Sequence, residues 1–167
     1  MNVYVTSLFD MPHYVRTLGP SHLVSIIQPE LQPDTPFEIA PDNHLRVQVH
    51  DISEPVAGSI PPGEEHIREL IDFLHDWPAD APLLVHCYAG ISRSTATALI
   101  ARVVKTGDPF DAAMALRHAA PHARPNSLII TLADDILGLD GRLIEAKLAM
   151  GEGVITEENV LVELSVT

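Results

Sequence analysis

The segment LLVHCYAGISRSTATALIARVVKTG, residues 83–107, leaves few choices of fold. Leu83, Leu84 and Val85 form an apolar run of strand length, with Pro78 and Pro82 bracketing the turn before it. A run without alternation suits a strand buried on both faces. From Ser94 to Thr106 the chain is apolar on most sides and stops at Gly107, which marks a buried central helix. Five residues, Tyr88-Ala89-Gly90-Ile91-Ser92, separate Cys87 from Arg93. The connection must therefore curl tightly, and Gly90 permits a backbone angle that a side chain resists. Buried strand, tight turn and buried helix together form the working unit of an α/β layer fold.

The rest of the chain agrees with that unit. Val3-Tyr4-Val5, His22–Ile27 and Leu45–His50 read as strands. Leu8–Thr17 reads as a loop and short helix stopped by Gly19-Pro20, and residues 28–43, with four prolines, read as loop. Ile67, Leu70, Ile71, Leu74 and Trp77 share one face of a helix over Glu64–Trp77. Asp108-Pro109 caps and opens a helix to about Ala120, and Asn126 or Ser127 caps another to Leu137. A further helix runs to Met150. Val160, Val162, Leu164 and Val166 alternate, so residues 151–167 read as a tail or late strand. The expected architecture is a single α/β domain, with a central, mostly parallel sheet flanked by helices over residues 1–150.

The 167 residues suffice for one core, and 46% of them are apolar. No apolar run approaches the ~18 residues of a membrane span, and the N-terminal stretch lacks the pattern of a signal peptide. A formal net charge of −13 repels nucleic acid and anionic membranes, so neither is an expected partner. The single cysteine allows no internal disulfide, which fits a reducing compartment, by default the cytoplasm. Nine histidines raise the question of a metal. Pro121 breaks the helix that would align His118 with His122, so no metal site is expected.

The chemistry gathers in the turn. Successive backbone N–H groups in such a loop form an anion nest, and the following helix adds its first-turn donors and its positive end. Arg93 contributes a planar fork suited to two phosphate oxygens. The same field favours the thiolate of Cys87. This combination is a nucleophile at the base of an oxyanion cradle.

The pattern His86-Cys87-x5-Arg93-Ser94 resembles the signature of the cysteine-based protein tyrosine phosphatases. HCYAGISRS is most similar to the dual-specificity branch, and the likeness in motif order spans roughly residues 45–130. The resemblance implies a phosphatase-like fold and a metal-independent phosphomonoesterase without cofactor. Its substrate would be a phosphorylated protein or a small phosphomonoester. Cys87 would attack phosphorus and form a phosphocysteine. Arg93 would hold the phosphoryl group and stabilise the transition state, and Ser94 would hydrogen-bond the sulfur. His86 would order the loop, and the amides of Tyr88, Ala89, Gly90, Ile91, Ser92 and Arg93 would cradle the phosphate. The general acid would be Asp51, 36 positions before the cysteine, with Glu54 as its rival. Asn126 would position the hydrolytic water, cap a helix, or do both. Arg124 is a possible support for the loop or the acid.

Tyr88 is expected in the core rather than at the rim. Phe9, Asp10, Met11 and Tyr14 are expected as ordinary packing and loop residues rather than as pocket wall. No residue from Tyr88 to Ser92 is charged, which speaks against highly phosphorylated inositol or lipid substrates and an RNA 5′-triphosphate. A sulfurtransferase usually lacks this pattern and its upstream acid, and an arsenate reductase needs further thiols. A phosphoresidue-binding module without turnover usually lacks the Cys or the Arg of the loop, and both are present.

Overall fold

In a computed structural model the structure describes residues 1–156 and 160–167. Five strands form one sheet: β1 (Asn2–Thr6), β2 (His22–Ile26), β3 (His44–Val47), β4 (Leu83–His86) and β5 (Val162–Ser165). Their order is β3-β2-β4-β1-β5. The first four are mutually parallel, and β5 runs antiparallel along β1. The helices are α1 (Met11–Leu18), α2 (Glu64–Asp76), α3 (Arg93–Thr106), α4 (Pro109–Ala119), α5 (Ser127–Leu137) and α6 (Arg142–Ala149).

The sheet separates two apolar layers. On one face Met11 and Val15 of α1 meet Leu23, Ile39 and Leu84. On the other, Val24, Ile26 and Val85 join the larger core built with α2–α6. Strand parity explains the division, because neighbours along a strand face opposite sides. β4 lies at the centre and all its residues are buried, as an unalternating apolar run requires. α3 is buried from Arg93 to Val103, whereas α2 buries one face through Ile67, Leu70, Ile71 and Leu74. The late alternation at Val162 and Leu164 becomes β5, with both residues turned inward.

β3 stops at Val47, short of the alternating LRVQVH run. Beyond it the backbone has other partners: Arg93 donates to the Val49 carbonyl (2.8 Å), and His50 N–H donates to Ile60 O (2.8 Å). The strand is traded for a loop that reaches the site. The 28–43 stretch also contains two short 3₁₀ turns, Pro29–Leu31 and Pro41–Asn43, each opened by a proline whose missing N–H costs nothing there.

Candidate active site

Parallel α/β sheets present their sites at the carboxyl ends of their strands. Here four strand ends converge, bringing Thr6-Ser7, Gln28, the Val49–Asp51 loop and Cys87 together. Residues 88–92 curl from β4 into α3. Gly90 has φ +76°, and a Cβ there would sit 2.9 Å from the Thr6 carbonyl oxygen. Both the backbone angle and the close approach to β1 therefore require glycine. The loop carbonyls are held from outside: Tyr88 O accepts from Leu8 N–H (3.0 Å), Ile91 O from Arg124 N–H (3.0 Å) and Ser92 O from Asn126 N–H (3.3 Å). Among the described residues, the N–H groups of 88–93 donate to no protein acceptor. Carbonyls tied outward and amides left unpaired form an anion nest.

Cys87 lies almost fully buried in the floor of that nest, with Sγ 3.0 Å from Ser94 Oγ. The Arg93 side chain is 4% exposed. Its Nη1 donates to Gln28 Oε1 (2.9 Å) and Val49 O (2.8 Å), while Nε is buried and has no partner among the described residues. One edge of the guanidinium is thus anchored, and a buried donor on it remains for an anion. Asp51 stands at the rim. Its Oδ1 accepts from Ser92 Oγ (2.7 Å) and from Asn126 Nδ2 (2.9 Å). Asn126 also caps α5 through Ile129 N–H (3.0 Å), so one side chain ends the connector and holds Asp51. Gln28, Asp51, Cys87, Arg93 and Arg124 share a cavity of about 570 Å³ with the loop. Glu54 is exposed and does not line it.

His86 is fully buried, with Nδ1 3.0 Å from the Cys87 carbonyl oxygen and Nε2 2.6 Å from Ser25 Oγ. Ser25 Oγ also meets His44 Nε2 at 2.8 Å. Burial lowers the pKa of both histidines to about 4; nearby cations add to this, Arg93 for His86 and Arg46 for His44. Both are therefore neutral at pH 7. Unfolded histidine titrates near 6.5, so between about pH 6.5 and 4 the unfolded chain takes up protons that the folded chain refuses. Stability is expected to fall as pH drops through that window, with no further loss from this pair below about 4. Denaturant midpoints measured across the window check this. Replacing His44 by glutamine should flatten the slope; an unchanged slope would exclude His44 as a source.

No family model matches the chain. Rat dual specificity protein phosphatase 15 is 33% identical over 111 residues. That alignment covers 64% of this chain but 41% of the rat protein, so the chain spans about two fifths of that relative's length. A crystal structure of DUSP15 superposes with a TM-score of 0.65 at 24% identity, covering 89% of each chain. The chain has the dual-specificity phosphatase fold. A structure described as PTPMT1 in complex with PI(5)P shares the fold more distantly, with a TM-score of 0.59 at 15% identity over 83% of this chain and 94% of that one.

Within this dual-specificity phosphatase fold, one expectation is corrected. Tyr88 is 46% exposed and stands edge-on to exposed Phe9, with ring centroids 5.7 Å apart. β4 ends at His86, so Tyr88 escapes strand parity and points to the rim. Asp10 and Tyr14 stay in local packing, with Ser7 Oγ donating to Asp10. Other residues at the site carry no local sequence signal. Gln28 lies just past the end of β2, in a proline-rich stretch whose sequence predicts only loop, and lines the cavity. Arg117 and Lys147 line a neighbouring cavity of about 490 Å³ that shares Asp51, Ser92 and Arg124 with the first. No local motif marks them, because separate helices bring them together.

Proposed function

We propose that this chain is a cysteine-dependent phosphomonoester hydrolase, of the dual-specificity protein phosphatase type, acting on phosphorylated protein through a phosphocysteine. The observation that carries this reading is that Cys87, Asp51, Arg93 and the loop with its unpaired 88–93 amides line one cavity, and that the Arg93 Nε is buried with no partner among the described residues. A phosphate dianion bound there would be met by amides and guanidinium, which match the charge that the transition state spreads over its equatorial oxygens.

In the first step the Cys87 thiolate attacks phosphorus in line, and the S–P bond forms as the bond to the leaving oxygen breaks. Asp51 gives that oxygen its proton. Both hydrogen bonds to Asp51 fall on Oδ1, so Oδ2 is the atom to carry the proton. In the second step water attacks the phosphocysteine, Asp51 recovers a proton, and Cys87 leaves as thiolate. Ser94 Oγ donates to the departing sulfur. Asn126 holds Asp51 in reach of that water. The scheme requires no metal or cofactor.

Asp51→Ala is expected to lower kcat by ~10²–10⁴-fold on phosphopeptides. The loss should be smaller on p-nitrophenyl phosphate, whose leaving group needs little protonation. If Glu54→Ala produced that leaving-group dependence and Asp51→Ala did not, the acid would be Glu54.

The charge distribution supports an anionic substrate. Four of the ten Lys and Arg residues, Arg93, Arg117, Arg124 and Lys147, against two carboxylates, Asp51 and Glu152, line the two adjoining cavities of a chain with net charge −13. A local cationic field overrides the global one at short range. The same field favours a second reading, a small phosphomonoester such as an inositol phosphate or a nucleotide-like molecule, and softens the argument from the neutral loop. Comparing kcat/KM for phosphopeptides and small phosphates separates the two. No helix among the described residues is long and apolar enough to cross a membrane. We infer action in the reducing cytoplasm, where the lone Cys87 thiol stays usable.

A further inference from the structure

Ser25 and His86 are paired neighbours on parallel strands, and His44 pairs with Leu23, two residues before Ser25. All lie on the face of the sheet that carries α1. Three polar side chains there would each carry a desolvation cost unless partnered. They partner one another in a line that starts at the surface: Thr35 Oγ1 to His44 Nδ1 at 2.8 Å, His44 Nε2 to Ser25 Oγ at 2.8 Å, Ser25 Oγ to His86 Nε2 at 2.6 Å, and His86 Nδ1 to Cys87 O at 3.0 Å.

The last contact fixes the direction of all the others. A carbonyl only accepts, so His86 must carry its proton on Nδ1. Neutral His86 then has an acceptor at Nε2, which obliges the Ser25 hydroxyl to donate to it. Ser25 Oγ, its proton committed, accepts from His44 Nε2–H. His44 Nδ1 is left as an acceptor for the half-buried Thr35 hydroxyl. Every hydrogen has one place, and reversing any member leaves two donors or two acceptors face to face.

We propose that Ser25, His44 and Thr35 are positioning residues for the nucleophile. Their hydrogen-bond line fixes His86 as the tautomer that donates to the Cys87 carbonyl, and so fixes the point at which strand β4 becomes the anion-binding loop. None of the three touches the cavity; they act on Cys87 through His86. Burial first, and then the cations Arg46 beside His44 and Arg93 beside His86, oppose protonation of either ring, which favours this one arrangement of the line. The inference rests on the proposed catalytic role of Cys87, but its primary test does not require turnover.

The first measurement is ¹⁵N NMR of the histidine rings in the wild-type protein near pH 7. The expected pattern is opposite tautomers: His86 protonated on Nδ1 and His44 on Nε2. His86 protonated on Nε2, or two rings of the same tautomer, would overturn the proposal whether or not the protein turns over phosphate. The second measurement is the rate of Cys87 alkylation by iodoacetamide. Ser25→Ala is expected to slow it by about 3- to 10-fold, the worth of one buried hydrogen bond, and to mix the His86 tautomers. Where the wild type is active, kcat should fall with little change in KM. His44→Gln keeps a donor toward Ser25 and an acceptor toward Thr35, so it should restore most of the rate that His44→Leu loses. Equal losses in the two His44 variants, or a Ser25→Ala protein with wild-type tautomers and alkylation, would leave only a packing role and overturn the assignment.

Discussion

Cys87→Ser is expected to abolish turnover, lowering kcat by ~10⁴–10⁶-fold, the range seen when a covalent nucleophile is lost. The substitution changes one atom of an almost fully buried residue at the floor of the cavity. A serine hydroxyl stays protonated where a thiol ionises, and it is a poor leaving group in the second step. The amides of 88–93 and the Arg93 fork are untouched, so the anion cradle survives. Inorganic phosphate or vanadate should therefore still bind within about tenfold of wild type (1.4 kcal/mol) by calorimetry. Loss of binding together with turnover would show a collapsed loop; retained turnover would remove the covalent mechanism.

Arg93→Lys should be nearly as damaging, with kcat down about 10³-fold. The guanidinium has two tasks on opposite edges. Nη1 closes the site by reaching Gln28 Oε1 and the Val49 carbonyl, while buried Nε has no partner among the described residues. A single ammonium cannot anchor the Val49 loop and bind phosphate as well. If it turns to the phosphate, the Val49 carbonyl is orphaned in a buried place, at a cost of about 1–3 kcal/mol. If it turns to the carbonyl, the phosphate loses its fork. Steady-state kinetics and a denaturation curve for the one variant separate these. A variant with wild-type kcat would mean that the amides alone stabilise the transition state.

The strand–turn–helix unit was legible because three local signals agree in it: an unalternating apolar run, a glycine at the one loop position with φ +76° and a backbone contact, and a helix without a polar face. The sequence also placed Asp51 in the segment after the third strand, where it reaches the cavity rim, and Asn126 at a helix cap, where it meets Asp51. Residue type alone predicts a buried Tyr88, but β4 ends at His86, so strand parity no longer governs it and it is 46% exposed. Gln28, the cationic neighbours Arg117 and Lys147, and the Thr35–His44–Ser25 line are products of tertiary assembly. Yet a trace of the last was present. Ser25 inside HLVSII and His86 ending LLVH are polar residues in otherwise buried strands, and each needs a partner. The sequence poses that demand; only strand order β3-β2-β4 says that they answer each other.

The most direct test is to trap the intermediate. Wild-type protein mixed with p-nitrophenyl phosphate and quenched in acid within milliseconds should carry one phosphoryl group, located on Cys87 by mass spectrometry of its peptide. The label should be absent in Cys87→Ser. It should persist longer in Asp51→Ala, where the second step lacks its base. Phosphate released at the wild-type rate with no phosphorylated Cys87 at any quench time would contradict the account.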